Sequence, residues 1–126
     1  MKPYLHGLVS TKKFGGKPED YQAIHDFIDS SKAHLADVRH RALLHSSFGI
    51  YLCEQVFGTY ITNSDNMIVQ VRDIAEEHIL EDLGRIPSVQ DWLGNMTIQQ
   101  WMGGRIKKRK QTVENKGESN EFRKID

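Results

Sequence analysis

The chain has 126 residues, 38% of them hydrophobic and 27% charged, and its 17 basic residues balance 17 acidic ones. That length carries one domain with an ordinary core, and the zero net charge gives no global pull toward nucleic acid or anionic lipid. Cys53 is the only cysteine, which excludes a disulfide framework and a cysteine-based zinc site, and its apolar surroundings read as a small buried residue in a reducing compartment. No apolar run in the sequence approaches a signal-peptide core or a membrane span, so the expectation is a soluble cytoplasmic protein.

In chain order, residues 10–17 (STKKFGGK) read as a loop, because the Gly15-Gly16 pair is costly to fix in a helix or strand. Pro18, Glu19 and Asp20 then suit the first turn of a helix. Tyr21, Ile24 and Ile28 give that helix its apolar stripe, with Phe27 beside them and His25 and Asp29 on the margin. A second, central helix is predicted from about Ser31 or Leu35 to Phe57, stopped by Gly58. Its stripe contains the small residues Ala42, Gly49 and Cys53, which admit close approach of another helix, and it turns His45 inward.

The period changes in TYITNSDNMIVQV, which predicts a hairpin within 59–71 with its turn at Asn63 to Asn66. A third helix is predicted from about Arg72 to Leu83, with Val71, Ile74, Ala75, His78 and Asp82 on one face and Gly84 as its stop. Ser88 and Asp91 match a capping box opening the short helix SVQDWL, and Trp92 and Trp101 are expected to close the core. The predicted fold class is mainly α within α+β: a compact helical domain over 1–104 with a short hairpin and a polar pocket between helices. Residues 105–126 carry the basic run Arg105, Lys107, Lys108, Arg109 and Lys110 and then a polar, mixed-charge stretch, which reads as a flexible tail. The run has no interleaved aromatics, so a nucleic-acid partner is not expected.

The chemistry lies in pairs four residues apart: His25 with Asp29, Arg41 with His45, and His78 with Asp82. On a helix such pairs share one face and present their polar ends together. A neutral imidazole offers one nitrogen to a metal while its other nitrogen is oriented by a carboxylate or carbonyl. His25, Asp29, His45 and His78 are therefore the candidate metal ligands, with Asp82 completing the shell or serving catalysis, and zinc, manganese or iron would fit. The bland alternative is a set of helix-surface pairs and one satisfied core histidine, each contributing about 0.3 to 0.5 kcal/mol as an i,i+4 contact.

The segment HLADVRHRALLH, read as helix, gathers His34, Arg41 and His45 in one sector with Asp37 adjacent, while Arg39 and His40 face elsewhere. A guanidinium fork beside imidazoles suits a phosphate or another anion, so Arg41 and His34 are candidate ligand-binding residues and Arg41 also a catalytic one. The competing reading is an exposed face on which Asp37 pairs with Arg41. His6 is a further ligand-binding candidate, reaching the site from the N-terminal arm with Ser10 and Lys12 or Lys13 as anion contacts; otherwise this arm is a frayed terminus. His25-Asp26 is also the dipeptide of HD-type metal-dependent phosphohydrolases, and that resemblance would give His6 and Asp82 the remaining ligand positions.

The phrases KKFGGKPEDYQAIHDFIDSSKAHLADVRHRALLHSS, GIYLCEQVFG, ITNSD and EEHILEDLGRIPSVQDWL resemble a family of small proteins of unknown function found in bacteriophages and bacterial genomes, over roughly residues 4–102. In that family a second histidine often stands at the position of Ser46, and another polar residue at that of Asp26. The resemblance implies no activity. From the residues, the leading expectation is a small accessory protein, either a metal-dependent hydrolase or a metal-binding protein, that acts on a phosphate-containing small molecule such as a nucleotide. The alternative is a non-catalytic protein that sequesters a nucleotide or engages a host protein.

Overall fold

A computed structural model describes residues 1–104. Its first compact unit is Met1–Gly94 and the second begins at Asn95. The first unit is mainly helical, with α1 (Pro3–Phe14), α2 (Glu19–Ile28), α3 (Arg41–Leu44), α4 (Ser47–Phe57), β1 (Tyr60–Thr62), β2 (Ile68–Gln70), α5 (Val71–Leu83) and α6 (Val89–Leu93). Helices α2 and α5 pack together, and α1 and α4 each pack against both. No described helix is long and apolar enough to cross a membrane.

The core is built where the apolar stripes meet. Tyr21, Ile24 and Ile28 of α2 face Ile50 and Cys53 of α4 and Val71, Ile74, Ala75 and Ile79 of α5, with Val69 added from β2. Burial raises the Cys53 thiol to about 12, so it behaves as a small apolar filler. The hairpin is antiparallel, pairing Ile61 with Val69. Buried Asn63 closes it: its Oδ1 accepts from the Asp65 and Met67 amides, and its Nδ2 donates to Phe14 O and Tyr21 Oη. One side chain thus ties the turn to the α1–α2 junction.

Three expectations are corrected here. The N-terminal arm and residues 10–14 belong to a helix, with Pro3 in its first turn and the loop confined to the Gly15-Gly16 region. Gly7 on this helix serves packing: a Cβ there would stand 3.3 Å from the Pro18 carbonyl oxygen. The predicted second helix is broken into a 3-10 turn at Ser30–Ala33, another at Val38–His40, the single turn of α3, and α4. Local side-chain bonds outcompete the continuous ladder. Asp37 accepts from the Arg39 amide, Ser46 caps α4 by accepting from the Gly49 amide, and Ser31 Oγ donates to the His40 carbonyl. Trp101 is 80% exposed in a 3-10 turn of the second unit, at Gln100–Met102, and closes no core. Trp92 is half-buried.

Where the chain breaks between α3 and α4, Gly49 is required by contact. An ideal Cβ on it would stand 1.7 Å from the Leu44 carbonyl oxygen, an overlap only backbone movement relieves. Gly49→Ala is expected to destabilise the protein by about 3 kcal/mol, the upper end of the usual overpacking cost, as read by urea denaturation. Wild-type stability would show that α3 and α4 separate freely.

The predicted hairpin, α5 with its left-handed Gly84 stop, and the Ser88–Asp91 capping box are present. The basic run and tail from 105 lie outside the described residues.

Candidate metal centre

Each polar group of the centre is placed by a different local device. His25 lies on the inner face of α2, and Asp29 caps that helix one turn later. His78 and Asp82 occupy one face of α5. His45 is the first residue beyond α3, with φ −87° and ψ 67°, and its carbonyl accepts from the Trp92 indole at 2.8 Å. The chain break, rather than a helical face, directs its ring inward. His6 and Ser10 come from the buried face of α1.

These groups adjoin. The His25 and His45 rings each lie 5.1 Å from the His78 ring, and His6 stacks on His78 with centroids 3.7 Å apart. All four imidazoles are fully buried. His45 Nε2 is 3.0 Å from Asp82 Oδ2 and 3.5 Å from Asp29 Oδ1. His78 Nε2 is 3.3 Å from Asp29 Oδ1 and 3.4 Å from Asp82 Oδ2. His6 Nδ1 meets Glu81 Oε1 at 2.5 Å, while its Nε2 lies 3.3 Å from Asp82 Oδ1 without hydrogen-bond alignment. The Met1 amino group lies 3.2 Å from the same Asp82 oxygen, and the Arg41 guanidinium 3.9 Å.

Electrostatics follow from this crowding. Burial would raise the Asp82 carboxyl, but His45, His6 and His78 hold it far below the usual carboxylate range. Asp29 is likewise lowered against the pull of burial, chiefly by His78. Burial, reinforced by the neighbouring His78 and His6, drives His25 down to about 3, so it is neutral. Burial also lowers His45. His78 goes the other way: burial disfavours its charge, yet its bonds to Asp29 and Asp82 outweigh that and raise it.

The donor set suits a metal ion. Asp29, His45, His78 and Asp82 each offer one ligand atom within 4.8 Å of the others. Zinc bonds to nitrogen and oxygen are about 2.0 to 2.1 Å, so neighbouring donors on a tetrahedron stand about 3.3 Å apart. The four separations between imidazole nitrogens and carboxylate oxygens are 3.0, 3.3, 3.4 and 3.5 Å. Among the described residues, Asp29 Oδ2, His45 Nδ1, His6 Nε2, Glu81 Oε2 and Arg41 Nε are buried without a hydrogen-bond partner. Every one belongs to this cluster or borders it, so the unpaired polar atoms gather at the same place as the four donors.

Of the residues singled out in the sequence, His25, Asp29, His45, His78, Asp82 and His6 come together here, and Arg41 stands at the margin with its side chain 23% exposed. His34 does not join them: it follows the first 3-10 turn and is exposed, because the helix that would have aligned it with Arg41 and His45 is interrupted. Asp37 pairs with Arg39 at 2.7 Å, not with Arg41. His40, expected to face elsewhere, is buried beside Ser31 and edge-on to His45. Asp26 is exposed and accepts from Gln22, so the His25-Asp26 dipeptide does not act as a pair. Lys13 pairs with Glu77 on the surface, and Ser10 bonds to His25. Glu81 was missed altogether. Its only sequence signal is adjacency to Asp82, which gains meaning once His6 is known to lie on a helix.

The family described as "Domain of unknown function (DUF6915)" matches residues 1–102. The chain belongs to that family. The matched span contains every residue of the cluster. No curated protein and no solved structure matches the chain.

Proposed function

We propose that this protein binds one divalent transition metal, zinc before manganese or iron, through Asp29, His45, His78 and Asp82. The observation that carries the reading is the set of four donor separations close to a tetrahedral edge. Manganese and iron favour higher coordination completed by water, whereas these four residues are buried and sit close around one point. The bound metal would supply Lewis acidity and pull its ligands into one rigid unit.

A second reading, hydrolysis of a phosphate-containing small molecule such as a nucleotide, is favoured by Arg41. Its partly exposed guanidinium stands 3.9 Å from Asp82 and its Nε is buried without a partner, so it could hold an anion at the solvent side of the centre. In a cytoplasmic accessory protein of phage or bacterial origin, the same groups would serve a non-catalytic role toward a nucleotide or host protein.

Metal analysis of protein purified without an affinity tag tests the first reading. One zinc per chain, retained through gel filtration and removed by a chelator, is the expected result. Protein with no stoichiometric transition metal, and with no uptake of added zinc or manganese, overturns it.

A further inference from the structure

His25 belongs to the cluster but holds no place among the four tetrahedral donors. Its Nδ1 faces His78 Nδ1 at 2.8 Å, and its Nε2 faces Ser10 Oγ at 2.8 Å. Two imidazole nitrogens at hydrogen-bond distance need one proton between them, so one donates and the other accepts. If His78 Nε2 carries the metal it must be bare, and a neutral His78 then has its proton on Nδ1. That N–H can only point at His25 Nδ1, which accepts. His25 in turn has its proton on Nε2 and donates it to Ser10 Oγ. The direction of every bond in the row is thereby fixed.

We infer that His25 is a positioning residue for the metal: its Nδ1 lone pair commits the His78 proton to Nδ1 and leaves His78 Nε2 free to ligate. This inference rests on the metal-binding reading above. Two further contacts support it. Ser10, a turn after His6 on α1, holds the His25 ring in register from its far edge. His6 lies flat on His78 with an interplanar angle of 23° and is itself anchored by Glu81. The His78 ring is thus fixed by a hydrogen bond on its edge and by stacking on its face. Outer partners of this kind orient the ligand and raise its basicity, and their loss typically weakens metal binding about 10- to 100-fold.

Two amides separate this role from a merely structural one. In His25→Asn the side-chain oxygen can occupy the position of Nδ1, three bonds from Cα, and accept from His78. In His25→Gln the amide lies one bond further out, at the position of Nε2, although glutamine is closer to histidine in volume. Zinc affinity is read by competition with a chromophoric chelator, and ligand geometry by the visible spectrum of the cobalt-substituted protein, each on full-length chain whose fold is checked by circular dichroism. The expected order is wild type, then His25→Asn within a few-fold, then His25→Gln weaker by about 10- to 100-fold with an altered cobalt spectrum. Equal affinities for the two amides, or tighter binding by His25→Gln, overturn the positioning role whatever the stability of the variants. Wild-type protein that takes up neither zinc nor cobalt overturns the metal reading itself, a result distinct from both.

Discussion

Chelator-treated protein given free zinc at about a hundred times its dissociation constant is expected to melt roughly 10 °C higher than without it. Binding to the native state alone contributes about 2.7 kcal/mol at that excess, and a chain of this length gains about 3 to 5 °C for each kcal/mol. At a fixed free-zinc concentration the gain should grow with pH. His78 in the metal-free protein is raised above its ordinary value by Asp29 and Asp82, so it keeps a proton that the metal must displace. Apparent affinity therefore rises as pH climbs through that raised value and levels off above it, with proton release on binding. Differential scanning calorimetry at pH 6 and pH 8, with titration calorimetry in two buffers of different ionisation heat, reads both effects. A shift of the same size at the two pH values, with no proton release, would show that His78 is not a ligand.

Asp82→Asn in metal-free protein is the second large effect, with an expected loss of about 3 to 5 kcal/mol. Its side chain is 1% exposed and faces His45, His6, His78 and Arg41. Removing one member of such a buried set leaves the others' charge uncompensated, which costs more than the pairing itself contributes. The sign with pH follows from the lowered carboxyl. Its contribution is fully present above the unfolded value of about 3.9 and fades as pH falls below it, so the gap between wild type and variant should narrow in acid. Urea denaturation across pH 3 to 7 measures it. Equal or greater stability in Asp82→Asn would falsify the balanced arrangement and make Asp82 a group tolerated only for a ligand's sake.

Much of the centre was legible where helices are uninterrupted. His25 and Asp29 on α2, and His78 and Asp82 on α5, are spaced one turn apart beside apolar stripes, and burying those stripes brings the pairs together. The hairpin and the capping box were legible for a similar reason, since their turn and cap residues act over a few positions. The break between α3 and α4 was not. Its apolar period runs straight through Ser46, whereas the stop depends on a hydroxyl reaching the Gly49 amide and on Leu44 lying against Gly49. His45 therefore reached the site for a reason different from the one its spacing suggested. His34 and Asp37 failed for the same cause. On α1, the loop read from the Gly15-Gly16 pair hid a helix, and with it the His6–Ser10 spacing and the Glu81 contact.

The bond from the Trp92 indole to the His45 carbonyl gives the protein a built-in optical reporter. Trp92 is half-buried and held to the backbone of one of the four donors, while Trp101 is 80% exposed. The emission of the pair is expected to divide into a water-like component from exposed Trp101 and a shorter-wavelength one from Trp92. A change that rotates the backbone at His45 is expected to perturb the Trp92 component through this bond. Replacing Trp101 with phenylalanine would leave a single tryptophan, whose emission, excited beyond the tyrosine band, should follow the state of the centre in a titration or in a stopped-flow trace, without a dye or a label.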